Sequence, residues 1–276
     1  MKDKISLYLV ATPIGNLKDI TERAIEVLKE VDFIAAEDTR KTLNLLNSLN
    51  IKKPLISYFE HNKRQRGGEI TARLEKGETC ALVTDAGMPA ISDPGEDLVK
   101  LCIEKGIKYT AIPGACAAVT AIALSGKTAG RFCFEGFLST SKKSRNEHLS
   151  AIKAETRTMI FYEAPHKIVK TLQDMYNALG SRRITLAREL TKFYEEIIHT
   201  TFEEAIKLYE NKEPKGEYVI IIEGAEKIKE KTDEKDIINT FNSFVLQGKT
   251  KSEAAKETAV LLNIRKNEVY SICINN

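Results

Sequence analysis

Short apolar runs alternate with amphipathic stretches through the first half of the chain. SLYLVA (residues 6–11) precedes ITERAIEVLKEV, whose apolar positions recur at helical spacing. The alternation then repeats. DFIAAED leads to a helix from Thr39, LISYFE to a helix over residues 65–76, and ALVTD to a helix over residues 94–105. YTAIPG and an Ala-rich helix from Ala115 complete the series. Strands alternating with helices predict parallel pairing in an α/β layer. The helix after Ser92 carries a start signal, with Asp93 expected at N-cap, Pro94 in the first turn and Glu96 three residues beyond the cap.

The second half has a different rhythm. FCFEGFL, RTMIFYEA, RITLAREL, EEIIHTT and EYVIIIEG are strand-like, and helices are expected over residues 166–179 and 202–209. RITLAREL and EEIIHTT lie too close for an intervening helix, which predicts an antiparallel hairpin and a mixed sheet. SGKTAG breaks the pattern near residues 126–130. The charged stretch EKIKEKTDEKD reads as a linker to an amphipathic helix over residues 237–245. TKSEAAKETAVLLNIRKNEVYSI then reads as helix, turn, helix, with Ser252 as the expected cap and Glu253 in the opening turn. Ala254, Ala255, Ala259, Leu262, Ile264 and Val269 supply its apolar positions, a spacing like that of a helix-turn-helix and equally that of a small helical bundle that only packs on the body. The expected organisation is α/β: residues 1–126 and 127–225 as two α/β domains, and residues 236–276 as a small helical segment.

Composition narrows the classes. The 276 residues are 42% hydrophobic and 29% charged, as in a globular chain. No apolar run approaches the ~20 residues of a membrane helix, and the first residues read as a strand rather than a secretory signal. Cys80, Cys102, Cys116, Cys133 and Cys273 are dispersed, without a CxxC pair. That disfavours a zinc ribbon or disulfide framework and suits a reducing cytoplasm. Net charge is only +3, but it is uneven. Residues 37–66 hold seven Lys/Arg against three acids, and residues 141–153 hold four against one. Two basic islands on a slightly acidic body suit a polyanionic ligand; solvated loops are the plainer reading.

GxGxxG after the first strand, GxxxxGK[ST], GxSxG and HExxH are all missing, which disfavours dinucleotide dehydrogenases, P-loop NTPases, α/β hydrolases and zincins. Instead, three strand-end loops are rich in Gly, Pro and Ala: ATPIGN (11–16), TDAGMPAISDPG (84–95) and PGACAAV (113–119). In a parallel sheet such loops lie at the carboxyl ends of the strands, where ligands bind. Small residues there let a ligand reach the backbone N–H and C=O groups.

In order along the chain, LYLVATPIGNLKDIT, AAEDTR, YFEHN, LVTDAGMPAISDPG, IPGACAAVTA, FYEAPHK and LAREL resemble the tetrapyrrole-methylase superfamily. Thr84-Asp85-Ala86 stands where that superfamily more often has Gly-Asp-Pro, and Cys116 and Ala117 where it often has serines. These departures resemble its RNA-modifying branch more than its corrin and porphyrin branch. The resemblance implies two α/β domains with S-adenosylmethionine in a cleft between them, and a homodimer. It implies walls from Pro13, Ile14 and Gly15, and from Asp85, Ala86, Gly87 and Met88. Ala115 and Cys116 would approach the methionyl or ribose part, and Tyr162, Ala187 and Glu217 would enclose the adenine. The activity implied is methylation of the 2′-hydroxyl of a cytidine ribose in small-subunit ribosomal RNA, on the RNA alone or on the assembled subunit. Tetrapyrrole methylation and a non-enzymatic nucleic-acid regulator are the alternatives.

Transfer from a sulfonium needs no metal, because the leaving group is already activated. A ribose hydroxyl is a weak nucleophile, so a general base would help by about 10²–10⁴-fold. Glu37, Asp38, His61 and Glu163 are candidates, with Asp38 favoured and His61 beside it. Arg40, Asn62, Lys63 and Arg64 in the first basic island, and Lys142, Lys143 and Arg145 in the second, are expected to hold RNA.

Overall fold

In a computed structural model, residues 4–210, 212–226, 233–262 and 264–274 are described. The chain divides into two compact units, Met1–Ala225 and Glu226–Asn276.

The first unit holds two five-stranded sheets. In the first, β1 (Leu7–Val10), β2 (Phe33–Ala36), β3 (Leu55–Ser57), β4 (Cys80–Val83) and β5 (Tyr109–Ile112) lie in the order β3-β2-β4-β1-β5. Every pairing in it is parallel. The helices between these strands are α1 (Glu22–Glu30), α2 (Thr39–Ser48), α3 (Lys63–Glu75) and α4 (Glu96–Glu104), and α5 (Ala117–Leu124) follows β5. β2 and β4 are buried at every position, as strands covered on both faces must be. One face packs Leu7, Phe33, Leu82 and Leu98, and the other packs Val10, Leu28, Ile34 and Val83.

The second sheet is mixed, in the order β6-β7-β10-β8-β9. Its strands are β6 (Phe132–Phe137), β7 (Thr158–Glu163), β8 (Arg183–Arg188), β9 (Glu196–Thr201) and β10 (Tyr218–Ile222). β6 and β7 run parallel, and the other pairs are antiparallel. The expected β8–β9 hairpin is present, with Arg183 opposite Thr201 and Arg188 opposite Glu196. α6 (Lys142–Ala151), α7 (Ile168–Leu179) and α8 (Phe202–Glu210) accompany this sheet. One face of the sheet builds a core around Phe161, Leu172, Met175 and Phe202. The other receives α5, whose Ala118, Ala121 and Ile122 pack on Ile160, Ala187, Val219 and Ile221. Small residues on α5 let that helix lie close to the second sheet, which joins the two layers.

The expected start of α4 is corrected. α4 begins at Glu96, with Gly95 rather than Asp93 in the cap position. Gly95 has φ +148, and a Cβ there would stand 3.0 Å from Leu82 Cδ2 and 3.1 Å from the Ala90 backbone nitrogen. The loop turns through Gly95, with Ala90 and Ser92 also at positive φ, and Asp93 is left outside the helix. α6 was not expected at all. Its polar sequence hides one inward face, on which Arg145 and Leu149 are buried.

The second unit contains α9 (Glu234–Leu246), α10 (Lys251–Leu261) and α11 (Lys266–Cys273), packed around Ile237, Phe241, Ala255 and Val269. Thr250, not Ser252, caps α10. It accepts from the Glu253 backbone N–H while the Glu253 carboxylate accepts from the Thr250 backbone N–H, a capping box. Residues 227–232 of the charged linker lie outside the described residues; its end forms the cap (Asp233) and first turn of α9.

Candidate functional site

The carboxyl ends of β1, β2, β4 and β5 all face one edge of the first sheet, as parallel pairing requires. There the loops after β1 and β4 are stitched together. Thr12 N–H donates to the Gly87 carbonyl at 2.9 Å, and Gly87 N–H donates to the Thr12 carbonyl at 3.0 Å. Gly87 has φ +81, a conformation that costs glycine little and a branched residue much. These loops and the second sheet enclose a cavity of about 340 Å³.

Ile14, Asp85, Ala86, Gly87 and Met88 line it from the first sheet, with Cys116 at the start of α5. Tyr162, Ala187 and Glu217 line it from the second. Pro13, Gly15 and Ala115 stand beside the wall rather than on it. Gly15 backs onto the β8–β9 turn: a Cβ there would collide with Lys192 Cγ and lie 2.8 Å from Thr191 Oγ1. The Tyr162 hydroxyl accepts the Ala118 backbone N–H at 3.0 Å, and its ring meets Phe134 and Phe137 edge-on. Burial pushes the Tyr162 phenol well above its usual range, so it is neutral.

Sequence reasoning missed several wall residues. Lys41, Asp93, Phe137, Leu190 and Lys192 all line the cavity. Lys41 Nζ pairs with Asp85 Oδ2 at 2.7 Å. Lys192 Nζ bridges Glu189 and Glu217 at 2.8 and 2.9 Å. Lys192 was findable from the hairpin that the sequence did show, since its turn follows a strand whose Ala187 was expected in the wall. Asp93 was hidden by its resemblance to a helix cap.

Three carboxylates share one end of the cavity. Glu37 Oε2 accepts the Asp85 backbone N–H at 3.1 Å, and burial raises the pKa of Glu37. Asp93 is pushed up to about 7, first by burial and then by the charges of Glu37 and Asp85. Among the described residues no group of three His, Cys, Asp or Glu side chains is arranged to hold a metal ion.

The favoured base does not fit this picture. Asp38 caps α2 and is clamped by Arg40, whose Nη2 donates to Oδ2 at 2.7 Å and whose backbone N–H donates to Oδ1 at 2.8 Å. Those bonds, the side-chain ones first, hold the carboxyl well below its usual range. Asp38 is therefore a poor proton acceptor, and neither it nor His61 lines the cavity. His61 is exposed and meets Phe59 edge-on. Glu163 does line the cavity, but its oxygens are taken by the Ala164 N–H and by the Thr171 hydroxyl, at 2.9 and 2.5 Å.

The basic islands are less free than their charge suggests. Asn62 closes its own loop, accepting from Phe59 N–H and donating to the Ser57 carbonyl. Lys63 pairs with Glu60 and Asp97, both at 2.7 Å. Arg64, Lys142 and Lys143 are exposed, and Arg40 remains largely open despite its pair. Arg145 is corrected: it is only 8% exposed and points inward. Its guanidinium donates to Asp174 at 2.7 Å and to the Thr171 hydroxyl at 2.8 Å, so it is spent on the fold.

The cavity suits a ligand the size of S-adenosylmethionine. The volume lies in the range of small-ligand pockets. Backbone groups are open at a glycine with no Cβ, apolar walls come from Ile14, Leu190 and Val219, and the carboxylates suit a cationic ligand.

Residues 6–206 match the model of the tetrapyrrole (corrin/porphyrin) methylases. The chain belongs to that family, within the branch formed by proteins named ribosomal RNA small subunit methyltransferase I. The Synechocystis protein of that name is 44% identical over 270 residues, covering 97% of each chain. The Halalkalibacterium halodurans protein is 46% identical over 274 residues, covering 98% of this chain and 95% of its own. Among solved structures, a uroporphyrin-III-C-methyltransferase from Thermus thermophilus superposes with a TM-score of 0.56 at 16% identity, covering 79% of this chain and 94% of that one. Diphthine synthase does so with 0.60 at 13%, covering 80% and 90%. At such identities these structures speak for the fold alone. Membership makes the chain a methyltransferase, with S-adenosylmethionine as the donor the family implies. No described helix is long and apolar enough to cross a membrane.

Proposed function

We propose that the protein transfers a methyl group from S-adenosylmethionine to the 2′-hydroxyl of a cytidine ribose in small-subunit ribosomal RNA. The observation that carries this reading is near-full-length likeness, at 44–46% identity, to proteins named for methylation of that RNA. Ile14, Gly87, Tyr162, Ala187 and Glu217 hold the donor, with the other residues of the same loops. Bound there, the donor supplies an electrophilic methyl on a cationic leaving group.

The chain's own residues do the rest. The loops after β1 and β4 would hold the donor, and the ribose hydroxyl would have to be positioned against its methyl for transfer. Asp93, near neutrality and inside the cavity, accepts the hydroxyl proton, a role Asp38 is too acidic to fill. Glu37 and Asp85 favour a cation in the cleft, and Lys41 holds the Asp85 carboxylate in place. Arg40, Arg64, Lys142 and Lys143 offer positive charge to phosphates. The protein works as a homodimer, for which exposed Tyr109 on edge strand β5 and Val119 and Leu124 on α5 supply apolar surface.

Asp93→Asn tests the assignment of the base. Activity on small ribosomal subunits should fall about 10²–10⁴-fold and lose the acidic limb of its pH–rate profile, with donor binding preserved by calorimetry. A variant that keeps wild-type rate and profile would remove Asp93 from proton transfer.

A further inference from the structure

The turn between β8 and β9 holds two aromatic side chains out into solvent at the lip of the cavity. Phe193 is 93% exposed and Tyr194 68%, and they meet edge-on with centroids 5.0 Å apart. Large exposed aromatics cost solubility, and nothing in the fold needs them there.

The turn that carries them is fixed. Glu189 and Thr191 sit at positive φ, and Lys192 N–H and Glu195 N–H close successive turns onto the Glu189 and Lys192 carbonyls. Thr191 N–H donates to Glu195 Oε2 at 2.6 Å, and the Lys192 ammonium is tied to Glu189 and Glu217. Gly15 lets the turn seat against the loop after β1. Leu190 and Lys192 are in the cavity wall, so the rings begin one residue beyond it.

We propose that Phe193 and Tyr194 form a stacking platform for an unpaired base of the RNA substrate, beside the nucleotide whose ribose enters the cavity. This rests on the functional reading above. A ribose reaches an enclosed cleft only if its nucleotide leaves the helical stack, and neighbouring bases then need a new surface to stack on. A ring held on a fixed turn offers one at little entropic cost. The Lys192 ammonium beside it is already paired with carboxylates, so the contact is to a base face rather than a phosphate. A second copy of the chain is a poorer occupant. Two aromatic side chains bury roughly 150–250 Å² each, well under the ~800 Å² per partner of a stable interface.

The chain contains no tryptophan, so Phe193→Trp places a single indole on the platform. Titration with single-stranded oligocytidylate should quench its emission saturably, while a duplex of equal length should not. Phe193→Ala and Tyr194→Ala should weaken single-strand binding about 5- to 150-fold, the loss of one stacked base. Phe193→Trp should retain binding, and donor affinity should be unchanged in all three. Emission indifferent to saturating single strand would overturn the proposal. So would emission that shifts with protein concentration alone, which would reveal a contact between copies. Methyl transfer by the wild-type protein to ribosomal RNA is measured in parallel. If it succeeds while the indole stays silent, the platform alone fails; if it is lacking, the functional reading fails while the quenching still reports on the platform.

Discussion

At the scale of single residues, Asp93 looks from its neighbours like a helix cap and in the fold is a carboxylate in the cavity wall. Its carboxyl sits near 7 in the fold against an ordinary 3.8. The folded protein therefore holds that proton more tightly than the unfolded chain. The contribution of this group to stability is greatest below about pH 4, falls as pH rises towards 7, and is flat above it. Asp93→Asn should raise Tm at about pH 8 and leave it near wild type at about pH 4. An equal shift at both would mean that the carboxyl is not held protonated. Gly87→Val should weaken donor binding strongly. The cause is chiefly its φ of +81, since a Cβ there meets Ile14 Cγ2 at 3.4 Å, an ordinary contact. Calorimetry on the folded variant decides this, and unchanged affinity would take the loop out of the site. The strand-end loops were legible because three of them in one domain are rich in small residues, whereas the individual wall residues, Tyr162, Ala187 and Glu217 among them, followed from the family resemblance. Asp93 was not, because Asp-Pro before a helix has the same local pattern whether or not the chain turns through a following glycine.

The elements show a similar division. The parallel strands follow from the alternation of strand-like and helical runs, the hairpin from the short stretch between two strand-like runs, and α5 from its alanines. α6 was obscured by its charges, and its basic residues suggested a loop for binding phosphate. In the fold, Arg145 ties α6 to α7 through Asp174 and Thr171. Arg145→Ala should cost about 3 kcal/mol by stranding a partly buried carboxylate, with donor affinity unchanged in the folded fraction. Lys142→Ala with Lys143→Ala should leave stability alone and lower the salt dependence of RNA binding, by a slope of about 0.7–0.9 for each phosphate no longer neutralised. Thermal melts and salt titrations separate the two effects. A salt slope unmoved by the lysine pair would make this surface a solvated one.

Over the whole molecule, the division at Ala225 and Glu226 places both sheets in one unit and the three helices in another. A chain ending at Ala225 should fold and bind the donor, because the whole cavity is built from residues before that point. Its activity should fall through weaker engagement of RNA, with single-turnover rate at saturating RNA changing less than apparent affinity. A fragment with full activity at limiting RNA would assign the helices no part in recognition. A 2′-O-methyl group removes the hydroxyl that alkali needs to cleave the adjoining phosphodiester. The most direct measurement is therefore alkaline hydrolysis of small-subunit ribosomal RNA labelled by the protein from S-adenosylmethionine carrying a radioactive methyl. The label should survive in an alkali-resistant dinucleotide whose 5′ residue is cytidine. Label released on ordinary mononucleotides, or found on a tetrapyrrole and not on RNA, would contradict it.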